Sequence, residues 1–519
     1  MIRFFEKDTF KHFCILFLII FSYTINYYYS LQGVFPVDSF SHFDTGYRIL
    51  LGEHPFKDYW AISGPVIDYL QSILFFIFGV SWKSYVAHSS IFNVVITVST
   101  FYLFKKFNLS NLTSFIYAFF FSILAYPSSG TPFADHHSTF FSLLSIYAAI
   151  FLIKTEKKYY CFLISIFLVL GFFSKQVPSA YVALFLGLII FIYILADKRY
   201  ELIKYFACSF IFIGFFLFIF SNIFEISLDG FLLQYIFYPP SIGTERINNL
   251  NISFRNVILN YKFIYIFLLP YVFINIKKIL KNNSILKNKN FYIFLILTSY
   301  VFLLIFHQLV TQNQIFIFFL IPLLSAFLHI ELKDYKKKKY FFFIFFICLF
   351  ATQKYHFRFN EDRKFHELSD VNFEHSIPAS KIDVKFAGLN WITPYEKNPQ
   401  REVDLINESK IYLKNLEKKK MVITNYSFFS AILDQKIYSP IRWVVTNGNS
   451  HPLNYNKYYV DYQEFLIDKI IKNKIKVIFT IKLNKPEYIE SLLSNNCNIE
   501  YGKINQILDS YTVSNCVNF

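Results

Sequence analysis

The sequence predicts an all-α polytopic membrane domain, with about 11 transmembrane helices plus interfacial helices, followed by a small extracytoplasmic α/β domain. Two observations predict this division. Hydrophobic residues make up 55% of the 519 residues and aromatic residues 22%, which is more than a soluble protein of this size can bury in one core. From about Lys354 the composition changes to a soluble pattern that lasts to Phe519. We therefore expect two domains, residues 1–353 and residues 354–519.

Apolar runs of spanning length define the predicted transmembrane helices. The first run, His12–Tyr29, is long enough to span, and no small-residue cleavage site precedes Asp44. We therefore interpret it as an uncleaved signal-anchor helix rather than a signal peptide. The other predicted spans are Lys83–Phe104, Leu112–Tyr126, Ser138–Ile153, Tyr160–Phe173, Pro178–Leu195, Tyr205–Ile223, Tyr261–Ile276, Phe291–Leu309, Ile315–Ile330 and Tyr340–Ala351.

Basic residues predict the orientation of these spans. If the apolar piece Val66–Phe78 stays outside the membrane, every strong positive cluster falls in loops on one side, as the positive-inside rule requires. Counting that piece as a further span would move each later cluster across the membrane. We therefore expect an inner (plasma) membrane protein with a cytoplasmic N-terminus and an extracytoplasmic C-terminal domain. Because the membrane half uses its positive charges in this way, the net charge of +16 does not indicate a nucleic-acid partner.

The stretch Ser41–Gly79 carries several charged residues directly after the first span. Because charged side chains are costly inside a bilayer, this stretch should lie on the membrane surface or line a watery cavity. Its two apolar-periodic pieces, Asp44–Leu51 and Val66–Phe78, predict interfacial helices. Asp44 opens the first helix, and Arg48 lies one turn later on the same face. The pair is either part of a functional site or a helix cap with a local ion pair.

A second polar constellation, PFADHHST, follows the third span and should emerge on the same outer face. Its residues Asp135, His136 and His137 have ligand chemistry that suits a divalent metal such as zinc or manganese. Adjacent residues in a short loop cannot form a whole coordination sphere. The same residues also fit a helix N-terminus capped by Asp135 with two interfacial histidines, so both interpretations stay open.

The tail beyond the last span predicts a small α/β module. Its predicted strands are Met421–Thr424, Lys476–Ile481, Ile499–Tyr501 and Ile507–Val513, and its predicted helices are Ser427–Leu433, Tyr462–Asn473 and Pro486–Leu493. The polar stretch Arg358–Asn398, which is broken by proline and glycine, is predicted to be a flexible connector.

Two of the six cysteines, Cys497 and Cys516, lie outside apolar runs. The predicted orientation puts them in the oxidising compartment. The segment between them contains Gly502, and β-type runs on either side would bring its two ends together. We therefore predict a disulfide, and a pair of buried free thiols is the alternative.

The order of motifs resembles that of a known family. FDTGYRILLGEHPFKDYW is followed by GPVIDYLQSILFFIFG, then by an Asp-containing loop after the next two spans, and then by FFSKQ. This order is similar to that of membrane glycosyltransferases of the GT-C type, in the bacterial branch related to protein mannosyltransferases and aminoarabinose transferases. The resemblance covers about residues 10–200 well and the remaining spans by architecture. His136 and His137 depart from the family pattern, as does Gly64, where some relatives have a basic residue.

This resemblance also implies a site. Asp44 matches the essential Asp of the family's first outer loop, so it would be the general base or would orient the acceptor, and Asp135 matches a second outer-loop acidic residue. Arg48 and Lys175 would neutralise the phosphate of the lipid carrier. The long outer loop Phe224–Asn260 is either a lid over the cavity or a plain connector. The candidate substrate-binding residues are Arg48, Asp58, Lys175 and Arg246.

The activity implied is transfer of a sugar from a polyprenyl-phosphate-linked donor to a cell-envelope lipid, glycan or protein, with a divalent metal as the candidate cofactor. A non-enzymatic carrier or assembly subunit for envelope polysaccharide is the alternative. Transporters place polar residues at mid-span and show internal repeats. Here the acidic residues cluster at one interface and the sequence shows no repeat, which favours the enzyme. A membrane acyltransferase would use His136, His137 or His307, but it lacks the supporting loop order.

Overall fold

Apolar helices form the first two thirds of the molecule, and a small mixed sheet lies near its C-terminus. The computed structural model describes residues 8–281, 285–312, 317–332, 338–445, 448–483 and 487–517, without the side chains of residues 245 and 338. Within this part, eight helices are long and apolar enough to cross a membrane. The chain is therefore a membrane-embedded, mostly helical protein, as predicted.

Each predicted span overlaps one of the apolar helices, although residues 315 and 316 of one span lie outside the described residues. Three of these helices are shorter than the rest: Asn111–Leu124, Tyr159–Ser174 and Leu320–Leu332. In chain order the helices are α1 (Asp8–Ser30), α2 (Pro36–Ser39), α3 (Phe43–Leu50), α4 (Pro65–Phe78), α5 (Trp82–Lys106), α6 (Asn111–Leu124), α7 (Ala134–Thr155), α8 (Tyr159–Ser174), α9 (Gln176–Ala196), α10 (Glu201–Ile223), α11 (Leu228–Phe231), α12 (Tyr238–Asn248), α13 (Lys262–Leu280), α14 (Lys289–Thr311), α15 (Leu320–Leu332) and α16 (Lys338–His356).

Basic loops from different parts of the chain meet at one end of the helix bundle. The Lys154 Nζ atom, near the end of α7, donates to the carbonyl oxygen of Lys106 at the end of α5, 3.4 Å away. Glu156 binds both Arg199, which follows α9, and Lys289, which begins α14. These loops are therefore neighbours, as the charge pattern predicted.

Residues 31–81 are here called the first outer stretch, after their predicted side of the membrane. Two of its helices, α3 and α4, lie where interfacial helices were predicted. One face of α4 is exposed, with Phe76 82% exposed, while Asp68 on the other face is fully buried. The turn before α4 requires a glycine for two reasons. Gly64 has a φ of +72°, and a Cβ atom there would overlap the ring of His42.

The C-terminal domain contains a four-stranded sheet flanked by helices. The strand order is β3-β4-β6-β5, with β3 and β4 parallel and the other two pairs antiparallel. The helices are α17 (Pro399–Asn415), α18 (Phe429–Leu433), α19 (Tyr459–Asn473) and α20 (Glu487–Leu493), and the strands are β1 (Ile377–Pro378), β2 (Asn390–Trp391), β3 (Lys420–Thr424), β4 (Val477–Ile481), β5 (Asn498–Lys503) and β6 (Leu508–Ser514). The predicted α/β character is confirmed, and the sequence analysis missed α17.

The prediction of a flexible connector is wrong. The segment between α16 and α17 is folded into short 3₁₀ turns and the paired strands β1 and β2. Its side chains Phe386 and Trp391 are fully buried in a core that includes Phe40 of the first outer stretch. The backbone N–H of Gly33 also donates to the carbonyl oxygen of Asn390, at 3.1 Å. Sparse aromatic residues therefore anchor a segment that is polar on average.

A buried carboxylate joins the C-terminal domain to the first outer stretch. One oxygen of Asp68 accepts from Thr45 at 2.6 Å and lies 2.7 Å from Nδ1 of His42. The other accepts from the Tyr59 hydroxyl at 3.0 Å and from the Arg442 guanidinium. Burial raises the pKa of this carboxyl, but Arg442 and His42 outweigh that effect and hold the pKa below its usual range. Asp68 is therefore a charged link between residues far apart in the chain.

We expect Arg442→Ala to lower the free energy of unfolding by about 3–5 kcal/mol, because it leaves the buried Asp68 charge without its cation. Thermal denaturation of the purified protein measures this loss, and limited proteolysis shows whether the C-terminal domain loosens. Arg401→Ala is the matched control, since Arg401 makes an exposed contact with Gln506. Equal melting temperatures for the two variants would contradict a stabilising role for the link.

The predicted disulfide is confirmed, because Cys497 and Cys516 are bonded to each other. Their separation of 19 residues closes a loop whose cross-link contributes about 3 kcal/mol in the chain-entropy model. We expect thiol reagents to label the remaining four cysteines, but not this pair, in denatured and unreduced protein. Labelling of Cys497 and Cys516 without a reductant would exclude the bond.

Candidate functional site

Segments that connect several of the apolar helices meet beneath the C-terminal domain, at the end of the bundle away from the basic loops. The backbone N–H of Trp60 donates to the carbonyl oxygen of Pro440 at 2.7 Å. Phe40 packs on Phe428, with ring centroids 4.9 Å apart. The Tyr238 hydroxyl donates to the carbonyl oxygen of Gly448. The C-terminal domain therefore packs against segments that carry several of the predicted site residues.

Asp135, Lys175 and His307 come together from three different spans. Asp135 lies in the first turn of α7, Lys175 in the break between α8 and α9, and His307 near the end of α14. The Nζ atom of Lys175 lies 2.7 and 2.6 Å from the two carboxylate oxygens of Asp135, and His307 Nε2 lies 3.3 Å from one of them. Asp135 and His307 are buried, whereas the Lys175 side chain is 23% exposed. The sequence analysis singled out all three residues, but it did not connect them.

The neighbouring carboxylate of Asp38 was not identified from the sequence. It belongs to α2, whose Ser39 hydroxyl lies 3.1 Å from Nδ1 of His366, and the Nε2 atom of His366 donates to the carbonyl oxygen of Ser129 at 2.7 Å. These contacts fix α2 beside the loop that leads into α7, and thus bring Asp38 into electrostatic range of Asp135.

Asp38 differs from the other acidic residues of this region in its surroundings. It is half-buried, and no hydrogen bond or ion pair joins its carboxylate to another residue of the described ranges. Burial and the negative charges of Asp135 and Glu367 raise its pKa to about 7, while Lys175 acts in the opposite direction. A half-buried carboxylate whose surroundings raise its pKa to about 7 has the properties of a general base.

Asp44, the predicted catalytic base, binds the C-terminal domain. One carboxylate oxygen accepts from the Ser430 hydroxyl at 2.8 Å and the other from the backbone N–H of Ala431 at 3.3 Å, in the first turn of α18. Burial raises the pKa of Asp44, against the effects of Arg48 and these hydrogen bonds. The carboxylates of Asp44 and Asp135 thus have different partners. The catalytic role of Asp44 stays a prediction, and the structure shows an interdomain contact.

Arg48 is enclosed by protein groups. Its Nε donates to Glu53 and its Nη2 to the carbonyl oxygen of Ser439, both at 2.7 Å. The guanidinium also lies 4.5 Å from the ring centroid of Tyr59, and the residue is only 1% exposed. The ion pair that it forms is therefore with Glu53, and nothing in this arrangement supports contact with a substrate phosphate.

The Asp58 carboxylate is engaged in a local hydrogen bond. Its carboxylate accepts from the backbone N–H of His54 at 2.8 Å, which closes a turn. Lys469 of α19 donates to the backbone carbonyl of the same residue. Asp58 thereby helps to shape the first outer stretch, and its substrate-binding role stays a prediction.

His136 and His137 point to different partners. His136 Nε2 lies 3.0 Å from the Ser128 hydroxyl, whereas His137 lies 3.1 Å from His88 and 2.6 Å from the Tyr126 hydroxyl. Within the described ranges, no group of three or more His, Cys, Asp or Glu side chains is arranged to hold a metal ion. The divalent metal therefore stays a prediction without support from the geometry.

The long outer loop bridges the membrane part and the C-terminal domain. Gln234 accepts from the Ala61 N–H at 2.9 Å and donates to the Phe56 carbonyl at 3.0 Å. Further along, Arg246 donates to the side chain of Asn449 at 2.6 Å and lies within electrostatic range of His307. The loop is therefore a folded bridge beside the site, and not a plain connector.

Comparisons with known proteins assign no family. A scan of the chain against protein-family models found no match, and neither did a search of the curated proteins. The GT-C resemblance therefore rests on the order of the motifs, and the function must be argued from the residues gathered around Asp38 and Asp135.

Proposed function

We propose that this protein is an integral-membrane glycosyltransferase, with Asp38 as general base, that moves a sugar from a polyprenyl-phosphate carrier to a cell-envelope lipid, glycan or protein. The observation that carries the proposal is the half-buried carboxylate of Asp38, which has no hydrogen bond or ion pair within the described ranges and lies in electrostatic range of Asp135 and Lys175. The order of motifs in the first 200 residues agrees with this function. The proposed orientation, with about 11 spans and a cytoplasmic N-terminus, puts the site at the outer face.

The chemistry requires a proton acceptor and a cation. Asp38 removes the proton from an acceptor hydroxyl, whose oxygen then forms a bond to the anomeric carbon of the donor sugar. The bond between that carbon and the phosphate oxygen breaks, and its electron pair stays on the departing phosphate. The proton passes from Asp38 to water. Lys175 stabilises the charge that develops on the phosphate, with Arg246 as a second cation near the site.

Asp135 holds Lys175 in position in this scheme. A bidentate contact with a carboxylate fixes the ammonium group at the mouth of the break between α8 and α9. The start of α7 is also a favourable place for negative charge, because the helix dipole stabilises anions there. The Asp135 carboxylate is therefore stabilised at the place where it holds Lys175 for an incoming phosphate.

The ends of the spans suit a donor that is partly lipid. Large apolar side chains on α10 are exposed, with Ile211 72% and Phe218 67% exposed, as expected for a helix that faces lipid. A polyprenyl chain can remain in the hydrocarbon layer while its phosphate reaches polar groups at the helix ends. A soluble sugar donor would not need a site placed at this boundary.

We expect Asp38→Asn to lower glycan transfer at least a hundredfold, because a general base typically contributes about 10²–10⁴-fold. Transfer is measured by mass spectrometry of envelope glycans from cells that carry the wild-type gene, the variant or no gene. Asp370→Asn, which alters an exposed carboxylate nearby, is the control. A product level above about a tenth of the wild-type value would exclude Asp38 as base, and the same loss in Asp44→Asn with an intact C-terminal domain would favour Asp44.

The stability of the same variant tests the environment of Asp38 without an activity assay. A carboxyl whose folded pKa is raised gives stability that is present below its unfolded pKa and is lost as the pH rises through about 7. Asp38→Asn removes this loss, so its melting temperature should exceed that of the wild type at pH 8 and equal it at low pH. Identical melting curves at pH 8 would contradict the buried and repelled carboxylate.

We expect Lys175→Met to lower transfer by about 10²–10³-fold, the cost of removing a group that stabilises developing negative charge. Lys57→Met is the matched control, because Lys57 forms an ion pair with the exposed Glu225. Measured with a purified donor, the loss should fall mainly on kcat, since the charge develops in the transition state. An unchanged kcat together with a raised KM would assign Lys175 to ground-state binding only.

A further inference from the structure

A groove runs between the long outer loop and the C-terminal domain. It has a volume of about 340 Å³ and lies between α12 and residues 448–457. That volume is within the range of small-ligand sites. Its two walls are held together by hydrogen bonds from Tyr238 to Gly448 and from Asn456 to Ser241, the second at 2.9 Å. The groove is therefore a defined concave site, formed where two parts of the chain are joined.

The chemistry of the groove is aromatic and amide-rich. Tyr455 lines it with a side chain that is 63% exposed. Asn248 and Asn456 add amide groups, and Ser241 adds a hydroxyl. Amides donate and accept hydrogen bonds at once, as sugar hydroxyls do, while a tyrosine ring offers a flat apolar face with a polar tip.

The charge of the lining residues distinguishes between the classes of ligand that the groove could bind. Among the lining residues that the structure describes, Lys457 is the one charged side chain. A phosphorylated ligand would be better served by several cations or a bidentate arginine. An apolar lipid chain would cover the polar amide of Asn248 without hydrogen-bonding to it, which is costly. Neutral hydroxyl-rich molecules match this lining best.

We propose that this groove binds the carbohydrate of the acceptor, an inference that rests on the proposed glycosyltransferase function. Helix α12 connects the groove to the reaction site, because its residue Arg246 bonds to Asn449 on the C-terminal domain and lies within electrostatic range of His307. A glycan held against Tyr455 would extend along α12 towards Arg246 and His307. The C-terminal domain thereby contributes to the choice of acceptor.

Binding of released envelope glycans tests the proposal without any transfer. The probe is the total oligosaccharide pool released by mild acid from the envelope of cells that make the protein, mixed with the purified full-length chain. Saturation-transfer NMR should show bound glycan, and Tyr455→Ala should weaken binding about fivefold, the size of one aromatic contact. Tyr455→Phe should bind as the wild type does. Tyr501→Ala, which removes a ring that is 49% exposed on the sheet, is the matched control.

The possible results distinguish a failure of the glycan-binding groove from a failure of the proposed transfer reaction. Absence of glycan binding, equal binding by the Tyr455→Ala variant, or binding of peptides in preference to glycans would overturn the glycan site. Because the assay contains no donor, it reads glycan binding through Tyr455 separately from transfer. If glycans bind through Tyr455 while Asp38→Asn leaves envelope glycans unchanged, the groove stands and the proposed reaction fails.

Discussion

A single buried carboxylate, that of Asp68, connects the C-terminal domain to the segment that follows the first helix. Four side chains surround it, and the Arg442 guanidinium is the one permanent cation among them. An uncompensated charge at a fully buried position would be strongly destabilising, so the position of Arg442 is constrained. Because Arg442 also donates to the carbonyl oxygen of Ser63, just before α4, the C-terminal domain is held against the turn that begins this helix.

The site depends on that arrangement. Asp44 and Arg48 use the same interface, through Ser430 and the carbonyl oxygen of Ser439, so α3 is tied to the C-terminal domain along its length. Within the described ranges, the Asp38 carboxylate, on the neighbouring α2, has no such hydrogen-bond partner. Asp44, Arg48 and Asp68 thus hold the C-terminal domain, whereas Asp38 is half-buried within electrostatic range of Lys175 and Asp135.

The sequence could predict the features that depend on local pattern. Apolar runs located the spans, alternating β-type runs located most of the C-terminal strands, and cysteine placement located the disulfide. The roles of the charged residues depend on partners far along the chain, and these partners left no local pattern. Asp44 could be identified because it lies in a recognisable motif. Its hydrogen-bond partner Ser430 could not, because it lies 386 residues further along the chain. Asp38 was overlooked because its environment is made by α7, Lys175 and the segment after α16, which meet only in the folded molecule.

The distance in sequence between Asp68 and Arg442 also has a consequence for biosynthesis. The two residues are 374 positions apart, so at about 5–20 residues per second the ribosome needs roughly 20–75 seconds to make the second after the first. Throughout that interval the carboxylate is more stable in water than among apolar helices. The helix that carries it is therefore expected to stay at the water boundary until Arg442 has been translated and the C-terminal domain can close on it.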